Sequence, residues 1–148
     1  MAQINKETYV KSPEEILGVK VVNNAIEAFE SLMNGETVAR FEYGDSMMPM
    51  LKSGEYCILT PISSLDEVKE GDAVFCKVNG YLMTHMVIQK SQASADTTHF
   101  LIGDTNFNLY GWTSEIYAIA KGTNVLEEPV EFETYKTVQE DPRASAVG

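Results

Sequence analysis

The sequence is poor in basic residues. It has 11 lysines and arginines against 22 aspartates and glutamates, and its formal net charge is -11 at pH 7. A surface of this charge repels the phosphate backbone of DNA and RNA. The lysines and arginines form no cluster that would reverse this repulsion locally. We therefore expect a protein without a nucleic-acid partner, whose acidity serves solubility.

Cysteine and histidine are also scarce, with two residues of each. Two cysteines do not make a disulfide framework. Cys57 and Cys76 lie in short apolar runs typical of buried strands, so buried thiols are expected, and a single disulfide between them stays open. Neither His85 nor His99 is spaced from a cysteine as zinc ligands are. No metal site and no other cofactor is predicted.

Long hydrophobic runs are missing as well. No stretch approaches the roughly 18 consecutive apolar residues that a membrane-spanning helix needs. Residues 1–11 are polar and lack the apolar centre of a signal peptide. We expect a soluble, cytoplasmic protein with no membrane partner.

What the sequence does contain is the length and apolar content of one folded domain. Its 148 residues, 44% of them hydrophobic, suffice to bury a sizeable core. We expect a leader and helix over residues 1–35, a β domain over residues 36–138 and a flexible tail over residues 139–148.

A single amphipathic helix is predicted over roughly residues 13–33. Ser12 and Glu15 match a capping box, and Pro13 suits the first helical position. Apolar residues then recur at helical spacing, namely Val22, Ala25, Ile26, Phe29, Leu32 and Met33. The dipeptide Asn34-Gly35 marks the end of this helix.

The rest of the chain is typical of short strands. Strands are predicted over residues 37–43, 56–59, 73–78, 81–88, 99–102, 116–120 and 130–138. The Asn79-Gly80 dipeptide predicts a β-hairpin, and Gly103 and Gly111 are expected to bracket a loop. One helix followed by many strands indicates a mostly β, or α+β, domain.

A serine in a tight turn is the first candidate for chemistry. Ser46 follows a predicted strand, and Gly44 and Pro49 favour a bend on either side of it. A serine held in such a turn can expose its hydroxyl and aim its own N–H at a developing oxyanion. A plain turn residue is the alternative interpretation.

The wider pattern resembles the LexA and signal-peptidase superfamily of serine peptidases. The matching elements, within residues 38–122, are Ser46-Met47-x-Pro49-x-Leu51-x-x-Gly54, then Gly71-Asp72-x-Val74, then His85-x-Val87. The resemblance implies a LexA/signal-peptidase-like β-fold preceded by the N-terminal helix. It also implies a soluble serine endopeptidase that cleaves an extended peptide, with Ser46 as nucleophile and His85 as its base.

A histidine in the base position is similar to one branch of that superfamily, since LexA-like proteins and bacterial signal peptidases usually have lysine there. A neutral imidazole can accept the serine proton at neutral pH. The histidine branch has a Gly-Asp-Asn motif, to which Gly103-Asp104-Thr105-Asn106 is similar, and a second Asp several residues later that completes its triad. Residues 107–110 contain no acid here, so Asp104 is the acidic candidate in this segment that would orient His85 in a triad. The alternative is that Asp104 caps a turn and that Ser46 and His85 form a dyad.

Two further predictions concern the residues around Ser46. Signal peptidases often have a hydroxyl where Gly44 stands, so backbone N–H groups near Gly44, Asp45 and Met47 are the candidate oxyanion hole. The adaptable side chains of Met47, Met48 and Met50 either line a groove for the substrate strand or pack in the core.

A second class of function remains open. Met86 stands where an arginine commonly follows the histidine, and we expect no membrane anchor, so a role in secretion is disfavoured. The alternative to an enzyme is a non-catalytic peptidase-like module with a structural or assembly role, for example as a phage particle subunit in the virion. The enzyme would have a peptide or protein substrate as partner. A homo-oligomer or an assembly partner is left open.

Overall fold

The structure is a computed structural model that describes residues 12–42, 47, 51, 54–92 and 97–126. Its main feature is one mixed β-sheet of eight strands, so the prediction of a mostly β chain is confirmed. The strands are β1 (Lys20–Val22), β2 (Val38–Glu42), β3 (Glu55–Pro61), β4 (Ala73–Val78), β5 (Tyr81–Gln92), β6 (Thr98–Gly103), β7 (Leu109–Thr113) and β8 (Ile116–Leu126).

The strand order across the sheet is β1-β2-β3-β8-β4-β5-β6-β7. β1 and β2 run parallel, whereas the other neighbouring pairs are antiparallel. β8 lies between β3 and β4, although it is the last described strand in the chain. The sheet therefore consists of two groups of strands, β1-β2-β3 and β4-β5-β6-β7, that β8 joins.

Two short helices occupy the region where the sequence predicts one. They are α1 (Pro13–Leu17) and α2 (Ala25–Met33), with β1 between them. The prediction of a single helix over residues 13–33 is therefore wrong. In the described part of the chain, neither helix has the length and apolarity that crossing a bilayer would take.

Local signals explain both the helices and the break between them. α1 starts at the predicted capping box, in which the Ser12 side chain accepts from the backbone N–H of Glu15. It ends at Gly18, which adopts a left-handed conformation with φ 75°. The β-branched residues of β1 then extend beside β2. The N-cap of α2 is Asn24, whose side chain accepts a hydrogen bond from the backbone N–H of Glu27.

The predicted hairpin is confirmed between β4 and β5. Asn79 and Gly80 have φ values of 51° and 88°, and a two-residue type I′ turn needs both to be positive. β7, by contrast, is a strand that the sequence does not predict, and Gly111 lies within it rather than at the edge of a loop. The strand predicted over residues 130–138 and the tail over residues 139–148 lie outside the described residues.

The core has two clusters on opposite faces of the sheet. The helix-side cluster contains buried residues of α2 together with Val38, Cys57, Leu59, Ala73, Phe75, Ala118 and Ala120. The second cluster contains Val68, Val74, Cys76, Val78, Val87, Phe100, Ile102 and Ile116. Alternate residues of β4 belong to different clusters because successive side chains on a strand point to opposite faces.

The two cysteines are buried thiols rather than partners in a disulfide. Cys57 belongs to the helix-side cluster and Cys76 to the second cluster, so the sheet separates them. Burial raises the pKa of the Cys76 thiol to about 12, because a thiolate is poorly solvated in an apolar interior. The first of the two alternatives for the cysteines is therefore confirmed.

Candidate active site

The predicted nucleophile, Ser46, lies outside the described residues, as do Gly44, Asp45, Met48 and Met50. What the structure describes of the candidate site is the base, the acid and the residues around them, together with Met47, Leu51 and Gly54 of the serine-containing element.

Two of these, Met47 and Leu51, are core residues. Each is 5% exposed, and both belong to the helix-side cluster. The backbone N–H of Leu51 donates to the carbonyl of Met47 over 3.0 Å. For Met47, core packing is the alternative that the structure supports.

His85 lies on β5, where its register is fixed by the Gly71-Asp72 segment. It pairs with Val74 of β4 and is half-buried. The N–H of Gly71 donates to the carbonyl of Val87 over 2.8 Å, and the N–H of Val87 donates to the carbonyl of Asp72 over 2.9 Å. Two of the elements that carry the family resemblance are therefore neighbours in the sheet.

Asp104 lies directly after β6, next to His85. The pairs Met86–Gly103 and Val87–Ile102 set the register of β5 against β6, and His85 and Asp104 are the residues adjoining the pair Met86–Gly103. Asp104 is only 3% exposed. Burial lowers the pKa of His85, and the negative charge of Asp104 raises it, with burial the larger effect.

The carboxylate of Asp104 organises the loop that follows it. Its Oδ1 accepts from the backbone N–H groups of Asn106 and Asn108, each over 2.9 Å. Its Oδ2 accepts from Nδ2 of Asn108 over 3.0 Å and from the hydroxyl of Tyr110 over 3.3 Å. These bonds, led by that from the Asn108 side chain, lower the pKa of Asp104. The group is therefore ionised at neutral pH, and it caps its own loop.

Gly103 allows the loop to pass close to β5. A Cβ at this position would lie 2.8 Å from the backbone oxygen of Asn108 and 2.9 Å from Cγ1 of Ile88. No larger residue fits at this position unless the backbone moves. Gly103 therefore helps to set the position of the Asp104 carboxylate.

Tyr110 on β7 contacts both candidate residues, and sequence reasoning missed it. Its ring centroid lies 4.5 Å from that of His85, with 41° between the ring planes. Its hydroxyl donates to Asp104. Burial and then the charge of Asp104 raise the pKa of Tyr110. The only signal in the sequence is an aromatic residue six positions after Asp104, and that spacing is too common to identify it.

A small pocket adjoins the signature elements. It has a volume of about 320 Å³, and its lining combines Leu51, the segment Gly71–Ala73 and residues 119–122 of β8. Among the described residues, no group of three histidine, cysteine or acidic side chains is placed to hold a metal ion. The chemistry that the described side chains offer is proton transfer, since a half-buried imidazole lies near an ionised carboxylate.

The comparisons with known proteins add nothing to these observations. No family model matches the sequence, and no curated protein or solved structure matches it either.

Proposed function

We propose that this protein is a soluble, cytoplasmic serine endopeptidase of the LexA/signal-peptidase kind, with the β-fold of that superfamily. Ser46 is its nucleophile, His85 its general base and Asp104 the acidic third member. Its partner is a peptide or protein substrate, held in extended form. The resemblance of the quoted motifs motivates this proposal.

One observation carries the proposal beyond the motifs. The β4–β5 hairpin and the strand that follows it bring the segments at Asp72, His85 and Asp104 side by side. The arrangement puts an ionised carboxylate beside an imidazole whose pKa lies below its ordinary value. Such an imidazole is neutral at neutral pH, which is the state that a general base requires.

The reaction proceeds by acyl transfer. Ser46 Oγ attacks the scissile carbonyl carbon while His85 takes the hydroxyl proton. The resulting imidazolium is stabilised by the negative charge of Asp104 and then gives its proton to the leaving amine. A water molecule then attacks the acyl carbon while His85 takes its proton, and His85 gives that proton to Ser46 Oγ as the acyl–oxygen bond to the serine breaks.

A fluorophosphonate probe tests the proposal without a known substrate, because it reports on the nucleophilicity of serine directly. We expect wild-type protein to be labelled at Ser46 and Ser46→Ala to show no labelling. His85→Ala should reduce the labelling rate by about 10² to 10⁴-fold, the usual contribution of a general base.

Ser63→Ala is the matched control, since Ser63 is exposed in the loop after β3 and its loss should leave labelling unchanged. Peptide mapping of the adduct identifies the labelled residue. Equal labelling of wild type and Ser46→Ala would refute the proposed peptidase function. It would favour the alternative, a non-catalytic module with an assembly role.

A further inference from the structure

Tyr110 joins His85 to Asp104 by two different contacts. Its ring packs against the imidazole with 4.5 Å between the centroids, and its hydroxyl donates to Oδ2 of Asp104 over 3.3 Å. An aromatic ring at this distance restricts the rotation of its neighbour. Its π face also attracts a cation that forms there.

The hydrogen bonds of Asp104 explain why such a link matters. An ionised carboxylate has about four acceptor sites. Those of Asp104 receive two backbone N–H groups, the Asn108 amide and the Tyr110 hydroxyl. Asp104 therefore acts on the imidazole through its charge, which does not fix the orientation of a ring. The ring of Tyr110 is in direct contact with the imidazole and can restrict its orientation.

Tyr110 is itself held against the hairpin that carries His85. Its backbone carbonyl accepts from Nδ2 of Asn79 over 3.4 Å. The next residue, Gly111, has a φ of 143°, and a Cβ there would lie 3.0 Å from Cγ1 of Val78. β7 thus approaches the β4–β5 hairpin closely, which places the backbone of Tyr110 next to the hairpin that carries His85.

On the basis of the proposed function, we propose that Tyr110 is a positioning residue for His85. The contact with its ring restricts the orientation of the imidazole, the π system of the ring stabilises the imidazolium, and its hydroxyl connects the ring to Asp104. Among the described residues, the titratable groups acting on His85 are Asp104 and Tyr110, while its partner on β4 is the apolar Val74.

The test is an NMR titration of the histidine rings. The chain has two histidines, and the exposed His99 serves as internal reference. We expect Tyr110→Leu to move the titration midpoint of His85 to lower pH by about half a unit, because the π face no longer stabilises the cation. Tyr110→Phe, which keeps the ring, should leave the midpoint near that of wild type. The matched control is Tyr81→Leu, since Tyr81 is 72% exposed at the start of β5.

An unchanged His85 midpoint in folded Tyr110→Leu would overturn the proposal. If that variant does not fold, the ring contact is measured in wild type and Tyr110→Phe. Cross-relaxation between the protons of the two rings is expected, and its absence would also overturn the proposal.

Labelling by the fluorophosphonate probe separates this proposal from the proposed function. We expect the pH at which labelling is half-maximal to fall by the same half unit in Tyr110→Leu, an effect that a merely structural residue would not produce. If wild type is not labelled while the midpoint of His85 still moves, the positioning role stands and the proposed catalysis fails. If wild type is labelled and neither midpoint moves, the positioning role alone fails.

Discussion

At the level of single residues, His85 is subject to two opposing effects. Burial favours the neutral imidazole, and the charge of Asp104 favours the imidazolium. Because the pKa of the folded state lies below the ordinary value of about 6.5, the unfolded chain binds the proton more readily. Protonation of His85 in the unfolded chain therefore lowers the free energy of unfolding as the pH falls below about 6.5. Above that pH the histidine is neutral in both states, and this destabilising effect is absent.

Replacing the acid tests the second of these effects. In Asp104→Asn the carboxylate charge is lost, so the pKa of His85 should fall below its wild-type value. We expect slower fluorophosphonate labelling as well. The loss should be smaller than the roughly 10⁴-fold seen when a triad acid hydrogen-bonded to its histidine is replaced, because Asp104 acts through charge.

NMR titration measures the pKa of His85, and the fluorophosphonate probe measures the labelling rate. The control is Asp66→Asn, because Asp66 is exposed in a short 3₁₀ turn. The melting temperature of Asp104→Asn should also fall, because one of the two carboxylate oxygens becomes an amide nitrogen, which cannot accept the hydrogen bonds that the loop donates to that position. An unchanged pKa of His85 in this variant would show that Asp104 serves its loop alone.

At the level of elements, the position of Asp104 depends on the loop between β6 and β7. This loop passes close to β5 because Gly103 has no side chain. We expect Gly103→Ala to destabilise the protein by about 1–3 kcal/mol, because its Cβ would overlap the backbone oxygen of Asn108. Urea unfolding measures this change, and Asn106→Ala in the same loop, at an exposed side chain, is the control. Equal stability of the two variants would contradict the steric argument.

The elements also show where sequence reasoning succeeds. β4 and the Asn79-Gly80 turn follow from an apolar run and from a dipeptide that tolerates positive φ. The order of the motifs in the chain led to His85 and Asp104, which the sheet makes neighbours. Whether they act as catalytic residues with Ser46 stays a prediction.

Other elements could not be predicted, for physical reasons. Apolar spacing favoured one helix over residues 13–33, but the pairing of β1 with β2 outweighs local helix propensity, and Gly18 provides the break. β7 was missed because its side chains are mostly exposed and Gly111 lies at its centre. Tyr110 was missed with it, since a contact across strands has no local signature.

At the level of the whole molecule, the sheet separates two cores that each enclose one cysteine. We expect neither thiol to react with a disulfide reagent in the native protein, because both are about 99% or more buried and the thiolate of Cys76 is disfavoured up to about pH 12. Unfolding in urea should expose two reactive thiols. Rapid reaction of Cys76 without urea would mean that the second cluster opens readily.

The central position of β8 has a consequence for how the chain folds. Its partners β3 and β4 lie well before it in the sequence, so both pairings are long-range contacts, which are slow to form. During synthesis, the first three strands and the β4–β5 hairpin leave the ribosome well before the strand that joins them. Until β8 is made, the edges of β3 and β4 that it later occupies lack this partner, and the order of synthesis delays completion of the sheet.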